Sequence, residues 1–237
     1  VSALHPVLAS FGGALEFIFS EQTSNVTGGK KVGGFDQALE LTLKQLEVTI
    51  LALAVALVIA LPIGLYLGHR GRGELLAIGL GNAGRAIPEL ALIALVATLI
   101  GVGLVTVTPA LAVLGIPPIL TNAYVGVRQV DPAAVDAARG MGMSNLEIIR
   151  KVELPMAIPT VMGGIRGATI AIVATATIAP LAGVETLGDF VLNRNVYGDD
   201  GVLAGAILVA VLALALEGLL ALLQRRLTSD GLKLETA

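Results

Sequence analysis

The side chains able to do chemistry are sparse in this chain, and one long stretch is the most polar of it. There is no cysteine, which excludes disulfides, thiolate metal sites and cysteine nucleophiles. The two histidines, His5 and His69, lie in different regions, so no metal site is expected. The stretches GGKK and KVGG lack the Lys-Ser/Thr ending of a phosphate loop, so no nucleotide or other cofactor site is expected either. Between Val130 and Pro159 the chain reads VDPAAVDAARGMGMSNLEIIRKVELPMAIP. Asp131, Asp136, Arg139, Glu147, Arg150, Lys151 and Glu153 fall within it, and long apolar runs flank it. The chemistry of such a segment is surface recognition, carried by capped helix ends, exposed charge and small residues that let a second backbone approach.

The local signals are specific. Asp131 can cap a helix that Pro132 opens, because the missing N–H of proline is one of the unpaired ones at that end. Ala133, Ala134, Ala137 and Ala138 favour helix and present a small face. Gly140 and Gly142 favour a sharp turn. Ser144 with Glu147 three residues on has the form of a capping box. Leu154-Pro155 is expected to end this second helix before the chain meets the next apolar run.

The elements that position this segment are apolar. More than half of the residues are hydrophobic and only 14% are charged. Repeated long apolar runs predict an all-α, polytopic membrane protein. The net charge of −3 makes nucleic acid an unsuited partner. Five spans are expected, near 47–67, 88–105, 108–127, 158–181 and 202–223. Pro62 is expected to kink the first, where Gly64 and Gly68 suit a close helix neighbour. Pro117-Pro118 are expected to break the third midway. Residues 74–87 are expected to form a short helix at the membrane edge, with Arg85 near Glu89. The basic residues Arg70, Arg72, Arg150, Lys151, Arg225 and Arg226 place 128–157 and the C-terminus inside and the N-terminus outside. Residues 1–43 are expected to form an extracytoplasmic segment with a short apolar patch at Leu15, Phe17, Ile18 and Phe19 and a loop after it. Residues 44–228 form the membrane domain and 229–237 an exposed tail.

Within the spans, Arg166 lies two turns inside the fourth and is either a snorkelling cation or a gate or interface contact. Thr169, Thr175 and Thr177 give that span more hydroxyls than any other. With Pro117, Pro118 and Arg166 they are the candidates for a path or gate. Glu217 lies near the inner end of the last span. Tyr124 is expected to anchor the interface at the end of the third.

The segment has a second property, its spacing. Asp136-Ala137-Ala138 is followed after three residues by Gly142, and nine residues later by Val152-Glu153-Leu154-Pro155. This resembles the EAA loop of ABC importer permeases, with Asp136 for Glu and Val152 for Ile. Further stretches, ALPIGLYLGHRGRG (60–73), NAGRAIPEL (82–90), PPILTNAYVGVRQVDP (117–132), VDAARGMGMS (135–144), VELPMAIPTVMGGIR (152–166) and VATATIAPLAG (173–183), resemble the permeases of osmoprotectant importers. The likeness covers about residues 40–228. A Gly-Gly-Leu-Gly element of that family is replaced by Val184-Glu185-Thr186-Leu187-Gly188.

The resemblance implies a type I, MetI-like permease fold that moves solute and hydrolyses nothing itself. It implies that Asp136, Ala137, Ala138, Gly142, Met143, Glu153, Leu154 and Pro155 couple to a pair of ATP-binding subunits. It also implies a second permease subunit, an extracytoplasmic binding protein and surrounding lipid. The solute would be a small zwitterion or cation such as glycine betaine, choline, carnitine or proline. With no Trp, three Tyr and five Phe, a tight aromatic cage within the chain is not expected. Three other readings compete. An ion-coupled transporter would want acidic residues midway through spans, and an intramembrane hydrolase a nucleophile with a base. A permease for another solute, such as an amino acid or a sulfonate, shares every docking feature.

Overall fold

A computed structural model describes residues 4–24, 26, 29–75, 77–79 and 88–228. Helix α1 (Leu4–Phe19) leads into a two-stranded antiparallel hairpin, β1 (Glu21–Thr23) and β2 (Lys31–Gly33), with Glu21 opposite Gly33. There follow α2 (Gly34–Arg70), α3 (Glu89–Ile100), α4 (Leu104–Arg128), α5 (Pro132–Gly140) and α6 (Asn145–Ile148). A π-helical turn (Ile149–Glu153) joins α6 to α7 (Leu154–Thr175), which tightens into a 3-10 helix (Ala176–Ala182). Two further helices, α8 (Gly188–Leu192) and α9 (Arg194–Leu227), the latter kinked at Gly198 where the backbone leaves helical geometry (φ 68°, ψ −175°), complete the order.

Helix α4 is the centre of the bundle, with α2 on one side and α7 on the other. Close approach explains why. A Cβ built on Gly64 would stand 2.6 Å from the Cβ of Ala123 and 2.7 Å from the carbonyl oxygen of Leu120. On Gly68 it would stand 2.8 Å from the Cβ of Val127. On Gly164, in α7, it would stand 2.6 Å from the carbonyl oxygen of Pro118. Small residues on both outer helices thus let their backbones sit directly against α4, where dispersion contacts are densest.

Among the described residues, four helical stretches are long and apolar enough to cross a membrane: Gly34–Arg70, Leu104–Arg128, Asn145–Ala182 and Arg194–Leu227. The span expected at 88–105 is instead the twelve-residue α3. At 1.5 Å per residue it covers about 18 Å, short of the roughly 30 Å of hydrocarbon. Gly101 and Gly103 follow it with φ of 92° and 120°, values that end a helix. Helix α2 begins at Gly34, so the boundary drawn at 43 falls inside a continuous helix. No residue in the most apolar window of α9 is fully buried by the rest of the chain, although Leu203, Ile207, Leu208 and Leu212 pack against the cluster around Phe17 and Phe190.

Other expectations change for physical reasons. Pro117 and Pro118 do not break the third span, since α4 runs through them as one helix. Pro117 is buried and Pro118 half-buried, and packing from both flanking helices offsets the backbone bonds that proline removes. Leu154-Pro155 does not end the second loop helix. The π turn passes straight into α7, and Pro155 sits in the first turn of that helix, a position that proline tolerates. Tyr124 is 4% exposed in the core with Ala56, Ala60 and Leu120, and is no interface anchor. The apolar patch near the N-terminus is not wholly superficial. Phe17 and Ile18 are buried with Leu187 and Phe190, whereas Leu15 and Phe19 are exposed. The loop expected after it holds the β-hairpin, tied by Lys31 to Glu21 at 2.8 Å. Arg85 and the tail from 229 lie outside the described residues.

The tightening of α7 at Ala176 frees carbonyls that apolar surroundings cannot satisfy. Buried side chains from elsewhere satisfy them. Gln45 of α2 donates from Nε2 to the Val173 carbonyl at 2.8 Å, and the Thr186 hydroxyl donates to the Ala176 carbonyl at 3.0 Å.

Candidate coupling site

The polar segment folds as a capped two-helix knob. The backbone N–H of Ala133 donates to Asp131 Oδ1 at 2.9 Å, so Asp131 caps α5 behind Pro132. Asp136 and Ala137 are exposed, with Arg139 3.2 Å from Asp136, while Ala138 is buried. The three residues read as one unit therefore divide, with two facing out and one packing inward. The helix closes through Met143 N–H to the Ala138 carbonyl at 3.2 Å and Gly142 N–H to the Arg139 carbonyl at 2.9 Å. Gly142 makes this turn with φ of +80°, a value that glycine adopts freely.

Ser144 and Glu147 form the reciprocal capping box at the start of α6. Lys151 donates to Glu147 at 2.9 Å, and this bond, followed by those from Ser144, lowers the Glu147 carboxyl from its ordinary 4.5 to about 2. A carboxylate whose value is depressed on folding stabilises the fold while it is ionised. Its contribution is complete above pH 4.5 and is lost as the pH falls through about 2. Amide exchange over residues 145–148, measured relative to α4, is expected to accelerate between about pH 6 and about pH 3. An unchanged ratio would mean that the box contributes nothing.

Met143 is half-buried, whereas Met141 and Leu146 are 71% and 61% exposed beside Gly142. Reading the spacing alone selects Met143 and misses these two, although apolar residues in a polar turn are a visible signal. Leu154 and Pro155 are half-buried in the joint with α7. Glu153 does not face outward. Its side chain is 4% exposed, and both carboxylate oxygens lie 2.9 Å from Nδ1 of His69.

The candidates for a path lie on α4, on α7 and on the 3-10 helix that follows it. Pro117 and Pro118 lie in α4, where Pro118 backs onto Gly164. Thr169 and Thr177 turn their hydroxyls back to their own helix, to the carbonyls of Ile165 and Ala174. Thr175 is buried. Arg166 does not stand alone. It donates from Nε to Glu217 Oε1 at 2.9 Å and from Nη1 to Gln224 at 2.8 Å, tying α7 to α9. The presence of an arginine and a glutamate in two different spans was the signal for this pair, since each is costly in hydrocarbon without the other.

Comparison with known proteins agrees with this architecture. The family model for the binding-protein-dependent transport system inner membrane component matches residues 60–229. The glycine betaine/carnitine/choline transport system permease protein OpuCB of Bacillus subtilis is 35% identical over 191 residues, covering 80% of this chain and 88% of that one. The carnitine transport permease protein OpuCB of Listeria monocytogenes is 36% identical over 193 residues, covering 81% and 88%. Among solved structures, a chain of the MetNI methionine ABC transporter in an inward-facing conformation superposes with a TM-score of 0.68 at 22% identity, covering 81% of this chain and 96% of that one. A chain of an amino acid ABC transporter superposes at 0.59 and 21% identity, covering 80% and 93%. These two likenesses show the MetI-like permease fold. The chain belongs to the family of binding-protein-dependent transport system inner membrane components, the multi-pass permease subunits of ABC importers.

Proposed function

We propose that this chain is the permease subunit of an ATP-driven importer for a small osmoprotectant, glycine betaine, choline, carnitine or proline. The observation that carries the reading is the knob at 131–155. Its outer face presents Asp136, Ala137, Met141 and Leu146 around an open glycine turn, and it continues as one helical rod into a span. Two ATP-binding subunits dock on two such knobs, one from each of two permease subunits. Closure of the ATPase pair pulls the rods, and the spans switch between two arrangements. The exposed apolar side chains of α9, Val211, Leu214, Leu219 and Leu222 among them, are left to lipid and the second subunit. A binding protein delivers solute on the opposite side. Phe17, Phe190 and Tyr197 pack edge-on against one another, with ring centroids 4.9–6.2 Å apart, instead of enclosing a cation, so solute choice rests mainly with the binding protein.

The knob lies in the cytoplasm, with the N-terminus outside and the C-terminus inside. The basic residues at 70, 72, 150, 151, 225 and 226 support this orientation. The uptake test uses the chain reconstituted with its cognate ATPase and binding protein. Saturable, ATP-dependent uptake of at least one of the four solutes is expected. Transport of a sulfonate with none of the four would overturn the solute class. The native chain has no cysteine, so orientation is read from Ser144→Cys alone. It is expected to react with an impermeant thiol reagent only after the cells are opened, and labelling in intact cells would reverse the topology.

A further inference from the structure

We propose that His69 is a positioning residue for coupling, binding the coupling segment to α2 so that movement of the knob reaches two spans rather than one. The inference rests on the reading of residues 128–157 as the ATPase-docking segment. The knob is continuous with α7, so motion passes to that helix through the backbone. Helix α2 has no such connection, because it ends at Arg70. What joins it to the knob is a buried pair. His69 stands in the last turn of α2, and Glu153 is the last residue of the π turn. Each side chain is 4% exposed, and Nδ1 lies 2.9 Å from both carboxylate oxygens.

Two features make this a link for motion rather than general packing. Among the described residues, the hydrophobic packing near this joint brings Leu61 and Leu65 of α2 into one cluster with Ile149 and Leu154. Apolar contact is non-directional and permits sliding. A hydrogen bond to a buried carboxylate is directional and expensive to break, because separation leaves both groups unpaired away from water. The pair also sits where the rod is weakest. A π turn is a wide, poorly favoured interruption that often marks a functional joint, and it would otherwise absorb displacement of α6. With Glu153 held by His69, the turn is braced against α2.

The test uses the complete complex of this chain with its ATPase and binding protein in proteoliposomes, reading assembly, basal ATP hydrolysis and solute moved per ATP hydrolysed. His69→Phe keeps a ring and removes the donor. His69→Asn restores an N–H near the Nδ1 position. Phenylalanine is expected to leave assembly and basal hydrolysis unchanged and to lower solute moved per ATP about tenfold, within the ordinary range of coupling strengths. Asparagine is expected to recover most of that loss. Glu153→Met removes the acceptor and should give the same loss, and the double variant His69→Phe with Glu153→Met should fall no further than either alone. The double variant leaves no orphaned charge, so it is the one to measure if a single variant fails to assemble. Wild-type solute per ATP in the phenylalanine variant, in the double variant, or an asparagine variant as poor as phenylalanine, would overturn the inference. A wild-type complex that neither assembles nor couples would instead overturn the docking reading itself.

Discussion

Gly142→Trp is expected to reduce uptake to background while the subunit remains inserted in the membrane. Two effects combine. The backbone at Gly142 has φ of +80°, which costs a non-glycine residue about 1–2 kcal/mol. Beyond its chain neighbours, nothing among the described residues lies within 4 Å of a Cβ built there, so the indole would project into open space. In the proposed docking this is surface that the ATP-binding subunit covers, so bulk there is expected to oppose docking however well the chain itself folds. Gly142→Asn separates the two effects, because asparagine tolerates a left-handed backbone and is small. The asparagine variant is expected to assemble with the ATPase and to retain most solute-stimulated hydrolysis, and the tryptophan variant to lose one or both. Wild-type uptake and stimulation with tryptophan in place would remove Gly142 from the docking surface.

The second large effect is on the fold. Gly188→Ala adds one methyl group, yet its Cβ would stand 1.8 Å from the carbonyl oxygen of Thr177. The φ of Gly188 is not positive, so the requirement is for space alone. The obstructing atom is main chain in the 3-10 helix, held from behind by the Thr186 hydroxyl on the Ala176 carbonyl. The backbone N–H of Gly188 also donates to that hydroxyl, at 3.2 Å. The methyl group therefore cannot be accommodated by a rotamer change, and the joint between α7 and α8 must open. Overpacking of this kind costs about 1–3 kcal/mol or more. Thermal unfolding in detergent is expected to shift down by about 5–10 °C. Gly140→Ala is the control, since nothing lies within 4 Å of its Cβ, and its midpoint is expected to stay near wild type. An unchanged midpoint for Gly188→Ala would contradict the packing at this joint.

Gly188 also shows how a departure in sequence is read. The paired glycines of the resembling element are absent at 184–187, and that difference draws attention first. The structure puts the demand on Gly188, the glycine that is kept. Its neighbour Thr186 supplies a hydroxyl to a freed carbonyl, which a glycine there would not do.

What the sequence by itself determined is what depends on neighbours within about one helical turn. The Asp131 cap, the Ser144–Glu147 box and the turn at Gly142 are all local, and all were legible from spacing. The apolar runs and the Gly64–Gly68 pair were legible too, because length and small size act without reference to a particular partner. The tertiary structure alone decided which polar groups meet. His69 and Glu153 are 84 residues apart, Arg166 and Glu217 are 51 apart, and Gln45 reaches Val173 across 128. It also decided that the prolines of α4 lie in an unbroken helix, that α3 is too short to cross, and that Glu153 turns inward. The physical reason is common to these cases. A cap is satisfied by backbone a few residues away, so its partner is written beside it. A buried charge or freed carbonyl is satisfied by whichever helix packs against it, and that is set by the assembled bundle.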